Sequence, residues 1–388
     1  MNLEIIRNET AGCTDKIFLN SAGGSLMPDV TAKTMTDYLL LEQHHGAYGA
    51  ADMNMEQISK FYEEVAQLIN TQLENIAFTV GSTDGYAKAL SSIGFKHGDV
   101  IITTNDDYIS NQIAFISLQK KLEIKVLRVK NLPDHELDLE DLEILINKYN
   151  PKLVAVTHIP TNSGLIQNVE GAGEICRKYD VLYLVDACQS VGQMSVDVEK
   201  IKCDFLTATG RKFMRGPRGT GFLYVSDKVL EKNMAPLFLD MSGAEWTAFN
   251  DYQLLKTAKR FEHWERSISS MLGFTEAVKY ANRIGLQNIE NYNKKLAASL
   301  RTGLQNNGLR ILDQGKHLGS IVTFCAQDGN IENIHKILKE NNIYFSVSNK
   351  SNALIDFTLK SLDRAIRLSP HYFNTSEEID QVVKILAK

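Results

Sequence analysis

The sequence predicts an α/β chain in which a mainly parallel, helix-covered sheet makes up the larger part and a smaller α+β unit follows it. Three observations carry this expectation. From residue 76 to about residue 208, short β-branched runs alternate with helix-length amphipathic segments, the rhythm of βαβ units. The run 219-GTGFLYV-225 follows 204-DFLTATG-210 too closely for a helical crossover, so one antiparallel strand is expected there. After about residue 260, long helical patterns precede several strand-like runs, an order that suits an α+β body.

Taken in order, residues 30–45 and 54–72 read as helices joined by the loop 45-HGAYGAADM-53, which Gly46 and Gly49 make adaptable. Strands are expected at 76-IAFTV-80, 99-DVIITT-104, 125-KVLRV-129, 153-LVAVTHI-159, 181-VLYLVDA-187 and 204-DFLTA-208, then the return strand at 219–225. Beyond these, helical patterns lie near 268–285 and 288–306. Strand-like runs follow at 320-SIVTFCA-326, 343-IYFSVS-348, 353-ALIDF-357 and 366-IRLS-369, and a helix is expected from about 375. No repeat and no Gly/Ser-rich linker interrupts the chain, so its parts are expected to share a substantial interface.

The 388 residues, 44% hydrophobic and 23% charged, suit a folded chain with ample core. A formal net charge of -5 gives no electrostatic reason to expect nucleic acid as a partner. The N-terminus has no hydrophobic signal region and no apolar run reaches membrane length, so a cytoplasmic chain with no membrane partner is expected. Five scattered cysteines without a C-x-x-C pair suggest reduced thiols and no metal site.

Chemistry concentrates at strand ends. The apolar run 182-LYLVDACQSVGQ-193 ends in Asp186, a carboxylate that needs a cation or hydrogen-bond donors. Alone it reads more readily as a cap or local ion pair. One unit later, 204-DFLTAT-209 delivers Lys212 to the same edge, where sheets of this kind bind ligands. An acid that keeps a ring nitrogen protonated and an amine that holds an aldehyde as a Schiff base are what a pyridine-type cofactor requires. Arg211 beside the lysine would lower the amine's pKa by repulsion. In 80-VGSTDGYAKAL-90, Ser82 and Thr83 open a helix after a strand, a geometry that offers N–H groups to a phosphate, although most such residues are simply caps.

The segments D-A-C-Q-S-V-G-Q, T-G-R-K-F-x-R-G-P-R-G-T-G-F-L-Y-V and R-L-S-P-H-Y-F-N-T-x-x-E-I-D, in this order, resemble the class V aminotransferase family of fold-type I pyridoxal-phosphate enzymes. That family includes cysteine desulfurases, isopenicillin-N-epimerase-like proteins and the carbon–sulfur lyases of ergothioneine biosynthesis. The resemblance runs from 18-FLNSAGGSLMP-28 to the last helix. It implies a mainly parallel seven-stranded sheet in a large domain (31–260), a smaller α+β domain (261–388), and an N-terminal segment (1–30) folding over the active site.

By position, the resemblance implies Lys212 as the Schiff-base lysine, Asp186 as partner of the ring nitrogen and Gln189 as partner of the phenolic oxygen. Ser82, Thr83 and Thr209 match the phosphate surroundings; Arg211 stands where the family commonly has histidine and is expected to strengthen the contact to phosphate, and the ring-stacking position, often histidine, falls on Tyr108. Arg367 matches the arginine that grips the substrate α-carboxylate. Thr161 and Asn162 are expected near the ring or that carboxylate. Asn20 and Ser21 match the segment over the site, and Tyr48 and 260-RFEHWERS-267 are expected from the partner of a homodimer with shared active sites. Arg215 and Arg218 are left without a role.

Where desulfurases carry a nucleophilic cysteine, this chain has 346-SVSNKSN-352, and Cys325 lies in an apolar run. The expected activity is therefore β-elimination at the carbon–sulfur bond of a cysteine-derived amino acid. Transamination is the alternative, with racemisation or cofactor binding without turnover as further ones.

Overall fold

The computed structural model describes residues 1–387. A seven-stranded sheet is built from Ile76–Thr79, Val100–Thr103, Lys125–Arg128, Leu153–Thr157, Leu182–Asp186, Phe205–Thr209 and Gly221–Val225. Named by first residue, the strands lie side by side in the order 76, 221, 205, 182, 153, 100, 125. Both pairings of the 221–225 strand are antiparallel and every other pairing is parallel. The close return expected from the short connection is therefore what forms. Strands such as Leu153–Thr157 are buried along their whole length, because helices cover both faces.

The strand order reverses between 153–157 and 100–103. Open sheets of this kind take ligands at the carboxyl ends of their strands near such a reversal. Register aligns Asp186 with Thr157 on one side and with Thr207 on the other, so the acid stands in the middle of the carboxyl edge.

The helix Ile268–Ile284 packs against Asp29–Met53 and Met55–Ile69, and Leu286–Asn306 follows it. A four-stranded antiparallel sheet comes next, in the order 310–311, 322–325, 364–368, 346–349. Its core gathers Phe324, Leu338, Phe357 and Ile379. The N-terminal segment is stitched to this part by Ile17–Phe18 pairing in parallel with Ile343–Tyr344, and by a bridge from Asn20 to Ser369.

Three expectations change. The helix from Asp29 runs on to Met53, and only Gly46, at φ 72°, breaks its helical backbone where a loop was expected. The run 353-ALIDF-357 is helical over Leu354–Leu359, with Ala353 and Phe357 buried one turn apart and Asp356 paired with Lys360 at 2.7 Å. So short an apolar run does not distinguish the two periods. An unforeseen hairpin, Ala244–Ala248 with Asp251–Leu254, carries Trp246 outward, so it lacks the buried alternation that announces a strand.

Candidate active site

Asp186 is the last residue of its strand and 3% exposed. One carboxylate oxygen accepts the Cys188 backbone N–H at 3.0 Å and the other accepts the Asn111 side-chain amide at 3.0 Å. A carboxylate has about four acceptor sites, so two contacts leave capacity for a ligand. The same Asn111 amide reaches a second buried acid, Asp107, at 3.0 Å. Asp107 also accepts the Tyr108 N–H, Gln112 and Thr157 at 2.7, 2.6 and 2.5 Å, while burial pushes its pKa up. Neither Asn111 nor Asp107 was singled out from the sequence. The signal was 106-DDYISN-111 itself, consecutive polar residues at the end of a buried strand.

Lys212 is 6% exposed, and its Nζ lies 5.6 Å over the Tyr108 ring. Burial lowers the amine's pKa; nearby Cys188 and Asp186 oppose this, and Arg211 and Arg367 reinforce it. The lysine sits on a tight turn closed by Arg215 N–H to the Lys212 carbonyl at 2.9 Å and Gly216 N–H to the Gly210 carbonyl at 2.8 Å. Gly192, at φ 91°, lets the chain after Asp186 lie directly on this turn, since a Cβ there would stand 2.5 Å from the Met214 nitrogen. Backbone contact thus sets the acid and the amine relative to each other.

A cavity of about 340 Å³ opens beside them, bounded by Thr83, Tyr108, Cys188, Thr209, Lys212 and Arg218 among others. Thr83 is exposed in the first turn of the helix Ser82–Ser92, whose N-cap, Gly81, supplies no side-chain cap to its leading N–H groups. The Ser82 hydroxyl turns away to Thr207 at 2.8 Å, and that of Thr209 donates to the Thr220 carbonyl at 3.2 Å. Arg211 lines the cavity, and its Nη1 donates to the Gly23 carbonyl. Arg218, unassigned from the sequence, stands exposed on the cavity rim.

At the other end, Arg367 donates to both the carbonyl and the hydroxyl of Thr161 at 2.9 Å, and to the Ser346 hydroxyl at 3.1 Å. Its Nε is buried without a protein partner, and burial with Arg211 nearby lowers its pKa to about 10. Ser346 in turn donates to Asn20 at 2.6 Å, and Gln189 donates to Thr161 at 2.8 Å. Asn162 is placed differently from the expectation, because its amide is taken by Asp356 at 2.6 Å. Ser21 is fully buried against Ser25 at 3.1 Å, and Tyr48 stands 74% exposed, outside the cavity wall.

These residues fit pyridoxal phosphate. A buried amine with a lowered pKa and an aromatic face border one cavity, with a helix N-terminus and the exposed Arg218 at its rim, and an acid with spare acceptors stands behind Cys188, which lines it. The Gln189 Oε1, buried without a partner, and the orphaned Nε of Arg367 mark polar contacts that the protein alone leaves unmade.

The family model for aminotransferase class-V matches residues 17–382. A probable cysteine desulfurase of Pyrococcus abyssi is 30% identical over 99% of this chain and 96% of its own length. The apo structure of a cysteine desulfurase from Thermococcus onnurineus superposes with a TM-score of 0.91 at 27% identity, covering 99% of this chain and 97% of that one. A cystine C–S lyase solved with cysteine persulfide superposes at 0.86 and 21% identity over 98% and 99% of the two chains, which speaks for the fold alone. Fold, cavity and whole-length match converge, and the chain belongs to the class V aminotransferase family of pyridoxal-phosphate-dependent enzymes.

Proposed function

We propose that the protein cleaves the carbon–sulfur bond of a cysteine-derived amino acid by β-elimination, releasing the sulfur as a free thiol or sulfide. The observation that carries this reading is the absence of cysteine from 346–363, the segment between the strand of Ser346 and the strand of Arg367. Cys13, Cys176, Cys203 and Cys325 are buried, and the half-buried Cys188 forms part of the cofactor cavity wall, its pKa pushed up to about 12 by burial. No thiol thus stands in that segment to accept sulfur as a persulfide, while names of relatives speak for cysteine chemistry.

When bound, pyridoxal phosphate supplies an electrophilic carbonyl and a ring that accepts the electron pair released at Cα. In this reading Arg367 fixes the substrate carboxylate through its free Nε and remaining N–H groups. Thr161, Ser346 and Asn20 hold that guanidinium in place. Lys212, with its lowered pKa, is neutral more of the time than an exposed lysine and takes the Cα proton as general base. Asp186 would hold the ring nitrogen and Tyr108 would stack on the ring, while Thr83 and Arg218 at the helix N-terminus would hold the phosphate.

The exposed apolar side chains Phe238, Trp246 and Phe249 support a homodimer, in which Tyr48 also meets the second copy. No helix among the described residues is long and apolar enough to cross a membrane, and the five free cysteines suit a reducing cytoplasm. The parts 1–30, 31–260 and 261–388 are the N-terminal cover, the cofactor domain and the small domain of this reading.

The test is product analysis with L-cysteine, S-methyl-L-cysteine and its sulfoxide. β-Elimination gives pyruvate, ammonia and the thiol, sulfide or sulfenic acid in equal amounts without a keto-acid acceptor. Alanine with protein-bound sulfur, or turnover only with an added keto acid, refutes the proposal.

A further inference from the structure

The side chain of Arg215 is 0% exposed, three residues after Lys212, and its backbone sits at φ 60°. No carboxylate compensates this cation at ion-pair distance among the described residues. Its Nε donates to the Leu26 carbonyl at 2.8 Å and its Nη2 to the Thr10 hydroxyl at 2.6 Å. Its guanidinium carbon lies 4.9 Å from the ring centres of both Tyr372 and Phe373 and 5.6 Å from that of Tyr280. A buried cation without an acid is expensive, and a weakly hydrated guanidinium among aromatic faces is the form in which it is best tolerated.

The contacts gather three separate parts of the chain. Thr10 and Leu26 bracket the N-terminal segment that holds Asn20. Tyr372 and Phe373 lie five and six residues after Arg367 on the same chain, and His371 of that run meets the Phe213 carbonyl at 2.7 Å. Arg215 itself rides on the lysine turn, through the 2.9 Å bond from its N–H to the Lys212 carbonyl. The guanidinium of a residue on the lysine turn therefore joins that turn to the run after the carboxylate grip and to the segment packed over them.

We propose that Arg215 is a positioning residue that sets the distance between Lys212 and Arg367 and keeps the N-terminal segment seated. It touches neither substrate nor cofactor and acts through those neighbours. The inference rests on the reading of Arg367 as the carboxylate grip, so Arg367→Lys is measured alongside.

The experiment uses the full-length holoprotein, with L-cysteine as probe, and compares Arg215→Met, Arg215→Lys and Thr10→Val with the unmodified chain. The Met variant has similar volume but loses every side-chain donor; the Val variant removes a hydroxyl that accepts from Arg215 and donates to the Ile6 carbonyl at 2.7 Å. The expected result for Arg215→Met is an increase in KM of roughly tenfold with kcat changed much less, and partial recovery in Arg215→Lys. Tryptic cleavage at Arg7 and Lys16 is expected to accelerate in parallel, while cofactor absorbance is retained. Thr10→Val should move both readouts the same way by a smaller factor, and it decides the matter if Arg215→Met does not fold. Unchanged KM and unchanged cleavage in the folded variants overturn the proposal. If Arg367→Lys leaves KM unchanged, the carboxylate-grip reading fails instead, and the cleavage rates alone then decide whether Arg215 seats the segment.

Discussion

Replacing Asp186 by Asn tests the electrostatic core of the site. Asparagine keeps the shape and one carbonyl oxygen, so the 3.0 Å bond from the Cys188 N–H survives. The acceptor for Asn111, also at 3.0 Å, is lost with the charge. The acid is 3% exposed, so its interaction with a protonated ring nitrogen is weakly screened; at a separation near 4 Å and an effective dielectric of about 20 it amounts to about 4 kcal/mol. If that interaction is felt mainly after the Cα proton leaves, proton removal slows by about 10³-fold. The assay is exchange of the Cα proton of S-methyl-L-cysteine with D2O, followed by proton NMR on cofactor-loaded protein. Borohydride capture on Lys212 confirms that the variant still carries its cofactor. Exchange within about tenfold of the unmodified rate, with the cofactor in place, would refute the assignment of Asp186.

Two further outcomes follow from the same geometry. Lys212→Ala removes the proposed general base and covalent attachment point, so borohydride capture should vanish and Cα exchange should fall by about 10²–10⁴-fold, with cofactor still bound reversibly. Capture persisting at another lysine would reassign the site. The second concerns Asp106, buried beside Asp356 and Lys360 and hydrogen-bonded to Asn131 at 3.0 Å, whose pKa burial raises from 3.8 to about 6. A carboxyl raised on folding favours the folded state fully below pH 3.8, and that contribution is lost as pH rises through about 6. The difference amounts to about 3 kcal/mol at most, from roughly 2 pH units at 1.36 kcal/mol each. Asp106→Asn escapes it, so the difference in melting temperature between variant and unmodified protein should grow in the variant's favour from pH 4 to pH 7.5. A difference that does not change with pH would contradict the buried-acid account.

Much of the site was legible because its chemistry sits at strand ends. Asp186 ends one apolar run and Lys212 follows another, both with the character of buried strands, and the parallel order brings both to one edge. Other side chains were identified while their use was not. Asn162 follows a strand as expected, yet its amide serves Asp356 on a helix 194 residues away, a partner no local pattern announces. Arg211 precedes the lysine but turns to the Gly23 carbonyl, because the N-terminal segment crosses at that point. Arg215 is one more cation in a basic turn as far as its neighbours in sequence tell, whereas in the fold it is 0% exposed beside three aromatic rings. The hairpin at 244–254 was missed because its large apolar side chains face outward, so its pattern resembled neither a buried strand nor a polar loop.

By itself the sequence determined the sheet, its one antiparallel return and the pairing of an acid with a lysine, because strand period, connection length and the polarity of strand ends are local properties. The resemblance added the cofactor. Tertiary structure alone decided that Asn111 links Asp107 to Asp186, that Ser346 and Thr161 hold Arg367, and that a guanidinium without an acid ties the lysine turn to both ends of the chain. Those contacts join residues far apart in sequence, and a buried polar group's partner is set by which surfaces meet, which no single segment encodes.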